Sequence, residues 1–146
     1  MHPRILRTID ANINRVSEGL RVLEDISRFV LNDIKISREL KAVRHSLNQT
    51  VSHISSKLLE TRDSEGDIGS DSDLAYDHEN LFSVVKANAK RVQEGIRVIE
   101  ELAKLPELKS SLPADELRKS RYKVYTLEKQ LVSQLKAGEL KERKGK

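Results

Sequence analysis

Arginine, asparagine and glycine at helical spacing occur twice in this chain, in a combination that could hold an anion. A-N-I-N-R-V-S-E-G-L-R-V-L-E runs from Ala11 to Glu24, and A-N-A-K-R-V-Q-E-G-I-R-V-I-E from Ala87 to Glu100; nine of the fourteen positions are identical and two more are Leu/Ile exchanges. With Asn12 at the origin of a helical wheel, Gly19 falls at about 340°, Arg15 at about 300° and Glu18 at about 240°. Asn12, Arg15 and Gly19 thus border the apolar face, as do Asn88, Arg91 and Gly95. A glycine in mid-helix costs about 1 kcal/mol relative to alanine. Its duplication points to the close approach of another backbone or of a ligand. A half-buried Asn/Arg set suits an anionic ligand. The competing reading is helix packing through glycine, with Arg15–Glu18 and Arg21–Glu24 pairs supporting the helix. For Arg21 and Arg97, near 180° on the wheel, the supporting role is favoured. For Asn12, Arg15, Asn88 and Arg91 the two readings balance.

Two further groups carry polar chemistry. Arg44-His45 is echoed by Arg121-Tyr122, at an offset of 77 residues against 76 for the first motif. His45 and His53 stand two helical turns apart, too far for the usual i, i+4 metal pair, so no zinc site is read. The stretch R-D-S-E-G-D-I-G, Arg62 to Gly69, has no counterpart in the second repeat. Gly66 and Gly69 allow tight backbone approach, and Asp63, Glu65 and Asp67 are oxygen ligands suited to a hard cation such as Mg²⁺. It is not an EF-hand, because Ile68 and Leu74 stand where Gly and Glu are required, nor a Walker A loop, because no G-K-[ST] follows. On residues alone a solvated loop is favoured over a phosphate or metal site. No catalytic triad, nucleotide fingerprint or spaced carboxylate pair is present, and the absence of cysteine removes disulfides, thiolate metal sites and Cys nucleophiles.

The elements that must position these residues are helices. The chain has 146 residues, 37% apolar and 34% charged, with 3% aromatics, 6 Gly and 3 Pro. Such a composition suits long helices around a Leu/Ile/Val/Ala core. Apolar steps of three and four predict helices over 3–31, 35–60, 79–104 and 113–137. Their inner faces include Ile5, Ile9, Val16, Leu20, Leu23 and Val30 in the first and Leu117, Val124, Leu127, Leu131 and Leu135 in the fourth. Pro3 and Pro113 suit first turns, Asp33 or Ser37 caps the second helix, and Gly138 is the expected terminator of the fourth. The expected fold is all-α: a single helical domain over 1–137, built as a bundle of two tandem αα-hairpins (about 3–60 and 79–137) with an internal pseudo-two-fold relation. An irregular connection over 61–78 and a basic tail over 138–146 complete it. The tail, with five basic and two acidic residues from Lys136 to Lys146, reads as solubilising in preference to nucleic-acid binding. No apolar run approaches a membrane span and the N-terminus lacks a signal-peptide core, so a cytoplasmic location is expected.

Taken together, I-D-A-N-x-x-R-x-x-E-G-L-R-V-L-E-D-x-x-R-F, L-K-A-x-R-H, R-D-x-E-G-D-I-G and A-N-x-x-R-x-x-E-G-x-R-V-x-E-E resemble one family in order and content. It is the small helical domain often fused ahead of bacterial thiamin-phosphate synthase and identified as a kinase for hydroxymethylpyrimidine phosphate. The resemblance covers residues 4 to about 135. It implies ATP and Mg²⁺ as cofactors and phosphoryl transfer to hydroxymethylpyrimidine phosphate, giving the diphosphate. Asn12, Arg15, Glu18, Gly19, Arg21, Arg44, His45, Arg62, Asp63, Gly66, Asp67, Gly69, Asn88, Arg91 and Glu94 match the family pattern. For such a reaction, Arg15, Arg91 and Arg44 are the expected phosphate donors and His45 a group that positions the hydroxyl. Asn12, Asn88, Glu18, Glu94, Arg62, Gly66 and Gly69 line the substrate, and Asp63 and Asp67 hold Mg²⁺. Thiamin-phosphate synthase and a second copy of the chain are the partners considered. The synthase barrel is absent from this sequence, so it should not itself join pyrimidine to thiazole. Two other classes compete: a non-catalytic docking or dimerisation module for the synthase, and an Arg-lined helical-bundle enzyme of the chorismate mutase type.

Overall fold

Five α-helices, with no strand among the described residues, make up the computed structural model, which describes residues 2–69 and 77–145. Helix α1 spans Pro3–Asp25. The His2 ring nitrogen accepts from the Arg4 N–H at 3.2 Å and Pro3 is the first helical residue, where its missing N–H costs nothing. A π-helical turn, Ile26–Val30, continues it. Asn32 then takes a left-handed conformation, φ 51°, which its short polar side chain tolerates. The i→i+5 turn shifts the register of everything after it. For that reason Val30, expected on the inner face, is 56% exposed.

Helix α2, Ile34–Val51, is capped by Asp33, whose carboxylate accepts from the Ile36 N–H at 3.0 Å. The sequence predicts one helix to residue 60, but a 3₁₀ turn at Ser52–Ile54 separates α2 from α3, Ser55–Thr61. The Ser52 hydroxyl donates to the Gln49 carbonyl and the Ser55 hydroxyl to that of Ser52, each at 2.8 Å. Hydroxyls that bond back to the main chain compete with the helical ladder and bend it. Helix α4, Leu81–Ala103, starts at Asn80, which accepts from the Ser83 N–H at 3.0 Å. Turns over 104–113 carry the buried Leu108 and Leu112, and Pro113 stands at the N-cap of α5 instead of inside its first turn.

Helix α5, Ala114–Lys144, passes through Gly138, the expected terminator. Gly138 is flanked by good helix formers, and Lys141, Arg143 and Lys144 lie in the last turn, where cations favour the carbonyl end of the dipole. The basic tail is therefore helical as far as Lys144. Of the connection expected to be irregular, residues 70–76 lie outside the described residues.

The helices form a bundle in which α1 packs on α2, α3 and α4, and α5 on α4 and α2. Gly19 of α1 sits against Asn88 and Val92 of α4, and Gly95 of α4 against Asn12 and Val16 of α1. This pairing is possible only if α1 and α4 run antiparallel. Fully buried Ile9, Leu20, Leu23, Leu40, Ile96, Ile99, Leu127 and Leu131 fill the centre.

Candidate functional site

The duplicated glycines explain themselves at the crossing of α1 and α4. A Cβ on Gly19 would lie 2.8 Å from Val92 Cγ2 and 3.1 Å from the Asn88 carbonyl oxygen. On Gly95 it would lie 2.7 Å from Val16 Cγ2 and 3.4 Å from the Asn12 carbonyl oxygen. Close approach of the opposite helix accounts for both, through a valine methyl in each case and also through the Asn88 backbone at Gly19. The asparagines belong to the same crossing. Asn12 is buried and Asn88 half-buried, and each donates its amide to its own helix, Asn12 to the Thr8 carbonyl at 2.9 Å and Asn88 to the Val84 carbonyl at 2.8 Å. Arg15, Glu18, Arg91 and Glu94 point outward and are exposed. The expected common cleft of Asn12, Arg15, Asn88 and Arg91 is therefore split: the amides are inside the contact and the guanidinium groups outside it.

Arg44 is not a free phosphate donor. Its guanidinium forks onto Glu24, Nε to Oε2 at 2.7 Å and NH2 to Oε1 at 3.1 Å. Arg121 does the same to Glu100, at 2.5 and 3.2 Å. Both glutamates are the last residues of the repeated motif, so the same ion pair ties α1 to α2 and α4 to α5. The expected Arg21–Glu24 helical pair gives way to it, because a bidentate Arg–carboxylate fork is the stronger geometry. The fork raises the pKa of Arg44 and Arg121 above the ordinary arginine value, through the hydrogen bond to Glu24 in one and to Glu100 in the other. His45 next to Arg44 is exposed. Its repeat equivalent Tyr122 lies edge-on to Tyr125 at 5.9 Å, and Arg118 beside it lowers its pKa.

The segment Arg62–Gly69 is built onto α1. Arg62 forks onto the buried Asp10, Nε and NH2 each at 2.9 Å, which raises the arginine pKa. Arg7 donates to the Asp63 carbonyl at 3.0 Å. Asp63 Oδ1 accepts from the Gly66 N–H at 2.8 Å, and Asp67 Oδ1 from the Gly69 N–H at 2.9 Å. A Cβ on Gly66 would fall 2.1 Å from Asp63 Oδ2, so a larger residue there would displace the Asp63 carboxylate from its place in the turn. The result is a concavity of about 120 Å³ lined by Arg7, Asp10, Ala11, Asn14, Arg62, Asp63, Ser64 and Asp67.

Of the expected site residues, the structure gathers Arg62, Asp63 and Asp67 there. Arg15 lies one helical turn beyond Ala11 of the lining. Arg44 and His45 are elsewhere. Glu24, which holds Arg44, is fourteen residues along α1 from Asp10, about 21 Å at 1.5 Å per residue. Arg91 approaches Gly19, with its Cδ 3.9 Å from where a Cβ would stand, at the other end of the crossing from Gly95 and Asn12. Arg7, Asp10 and Asn14 are lining residues that the motifs alone do not select. Asp10 stands in I-D-A-N, but at about 160° on the wheel it falls beside Arg21 and outside the apolar arc, so periodicity gives no signal for it. Among the described residues, no cluster of three or more His, Asp or Glu side chains could cage a metal, and no helix is long and apolar enough to cross a membrane.

Fold and site thus define an all-α bundle in which one sequence motif recurs on α1 and α4 and an arginine-clamped acidic loop packs on α1. Residues 7–130 match the model of the ThiD2 family, and the chain belongs to that family. It is also similar to proteins named thiamine-phosphate synthase: 34% identical over 83% of the chain to that of Rhodopirellula baltica, 36% over 88% to that of Nostoc punctiforme and 38% over 88% to that of Thermosynechococcus vestitus. The aligned part makes up 33–35% of those proteins, so the chain spans about a third of their length. No solved structure gives a significant match.

Proposed function

We propose that the protein is a kinase of thiamine biosynthesis that transfers a phosphoryl group from ATP to hydroxymethylpyrimidine phosphate at the Arg62–Gly69 loop. One observation carries this reading: in a chain of two like units, one alone has an acidic, glycine-tight loop, and two arginines hold it on α1. Donor and acceptor phosphates must be told apart, and a symmetric scaffold needs an asymmetric element to do so. Family membership and relatives named for thiamine-phosphate synthesis set the pathway.

The residues fit a magnesium ion carried mainly by phosphate oxygens. Asp63 and Asp67 each use one carboxylate oxygen within the loop and keep the other for a cation, and Mg²⁺ in phosphate sites takes only one or two carboxylates. When bound, the ion neutralises charge on the transferring phosphoryl group. Arg7 and Arg15 hold phosphate oxygens, and Asn14 orients the substrate on the exposed face of α1. Arg62, fixed on Asp10, keeps the loop in place without reorganisation. The concavity of about 120 Å³ is far below the roughly 300–1,000 Å³ of sites that enclose whole ligands. It takes a phosphoryl group, with the rest of the ligands lying along α1.

The docking reading keeps one observation in its favour. Phe29, Val30 and Ile34, 65, 56 and 64% exposed, form an apolar corner at the α1–α2 turn. Following ADP release from Mg-ATP, with and without hydroxymethylpyrimidine phosphate, separates the two. Pyrimidine-dependent release with a diphosphate product is the expected result. No turnover, together with binding to thiamin-phosphate synthase that is lost in Phe29→Ser, would put docking in its place.

A further inference from the structure

On α4, the positions equivalent to those that carry the loop on α1 border a different surface. Between α4 and α5 lies an open groove of about 630 Å³, within the size of sites that hold a cofactor or nucleotide. Lys86, Lys90, Lys129 and Lys136 line it against a single acid, Glu128, which is held by the Gln93 amide at 3.2 Å. Val132 gives it an apolar floor, and Tyr125, 42% exposed, stands at its side. Among the described residues these lysines make one ion pair, Lys90–Glu94, at 3.9 Å and solvent-exposed on both sides, a geometry of little worth.

Nothing in the scaffold demands this charge. At the repeat offsets, Lys86, Lys90, Lys129 and Lys136 correspond to Asp10, Asn14, Ser52 and Leu59 of the first unit, none of them basic. Lys86 and Lys90 are also four apart on one helix face, where like charges repel. An uncompensated lysine set that the duplicated partner lacks, around a groove with an aromatic wall, is the composition of an oligophosphate site. The lysines neutralise the phosphates as point charges and the tyrosine ring offers a face to a base.

We infer that the α4–α5 groove is a second binding site, taking a nucleoside polyphosphate with its phosphates on Lys86, Lys90 and Lys129 and its base against Tyr125. It is separate from the loop site. Asn14 and Lys90 each lie about 200° round the helix from the asparagine that faces the other helix. The groove and the loop concavity therefore open on opposite sides of the α1–α4 pair. A nucleotide held in the groove does not reach an acceptor at the loop of the same chain.

Amide-resolved NMR titration of the full chain with tripolyphosphate, then with ATP, tests this without recourse to turnover. Saturable shifts centred on Lys86, Lys90, Gln93 and Lys129 are expected with both probes. They should weaken at least tenfold in affinity in Lys90→Glu and in Lys129→Glu, and persist in Asp67→Asn. Tyr125→Leu should weaken ATP several-fold and leave tripolyphosphate unchanged. Shifts confined to the Arg62–Gly69 loop would overturn the inference. So would non-saturating shifts spread over lysines including Lys141 and Lys144, or full binding by either charge-reversed variant. A retained helical circular-dichroism spectrum excludes unfolding as the cause of a loss.

Discussion

At the scale of single residues, identity between the two motifs turned out to mark scaffold. Gly19 and Gly95 make reciprocal contacts, Asn12 and Asn88 bond back to their own helices, and Glu24–Arg44 and Glu100–Arg121 are the same pair twice. A wheel shows that such residues border the apolar face. It does not show whether the neighbour across that border is a helix or a ligand, and this is why Arg44 could be taken for a phosphate donor. The glycines give the sharpest test. Alanine would gain about 1 kcal/mol of helix propensity, but its methyl would meet a stiff β-branched side chain in both cases. At Gly19 it also meets a backbone oxygen at 3.1 Å, against 3.4 Å at Gly95. Overpacking costs about 1–3 kcal/mol. Gly19→Ala is therefore expected to lower stability in urea denaturation by about 1–2 kcal/mol, and Gly95→Ala by less.

At the scale of elements, most of the architecture was legible from periodicity. Leu40, Val43, Leu47, Val51, Ile54 and Leu58, at steps of three and four along the second predicted helix, are all buried, as are Leu117, Val124, Leu127, Leu131 and Leu135 of α5. The misses have local causes that a three-and-four pattern does not encode: the π turn that exposes Val30, the serine back-bonds that split α2 from α3, and the helix formers that carry α5 through Gly138. The loop was legible as an asymmetric feature, though its anchor was not. Asp10 and Arg62 lie 52 residues apart and only the folded chain joins them. That anchor is open to test. Asp10→Asn removes the charge that holds Arg62 and leaves the arginine without its carboxylate. Limited proteolysis is expected to cut within Arg62–Gly69 several-fold faster than in the parent, with the rest of the bundle intact. An unchanged cutting rate would mean that the fork does not hold the loop.

At the scale of the whole molecule, the bundle separates holding from acting. Like ion pairs fasten the units, one in each, and the surfaces that differ between them, an acidic loop on one and a lysine groove on the other, are free to diverge. Breaking a buried pair costs about 3–5 kcal/mol. With 9% and 5% side-chain exposure, Arg121–Glu100 is the more buried of the two, against 16% and 8% for Arg44–Glu24. Arg121→Met is thus expected to cost about 3 kcal/mol and Arg44→Met less. The most direct test of the proposed chemistry measures ADP release and melting temperature together in wild type, Asp67→Asn and Arg121→Met. If the loop performs phosphoryl transfer, Asp67→Asn cuts turnover about a hundredfold, as when charge stabilisation of a transition state is removed, and melts like wild type. Arg121→Met melts lower but keeps its turnover per folded molecule. Wild-type turnover that Asp67→Asn matches, or that Arg121→Met abolishes while still folded, would contradict the assignment of the chemistry to the loop.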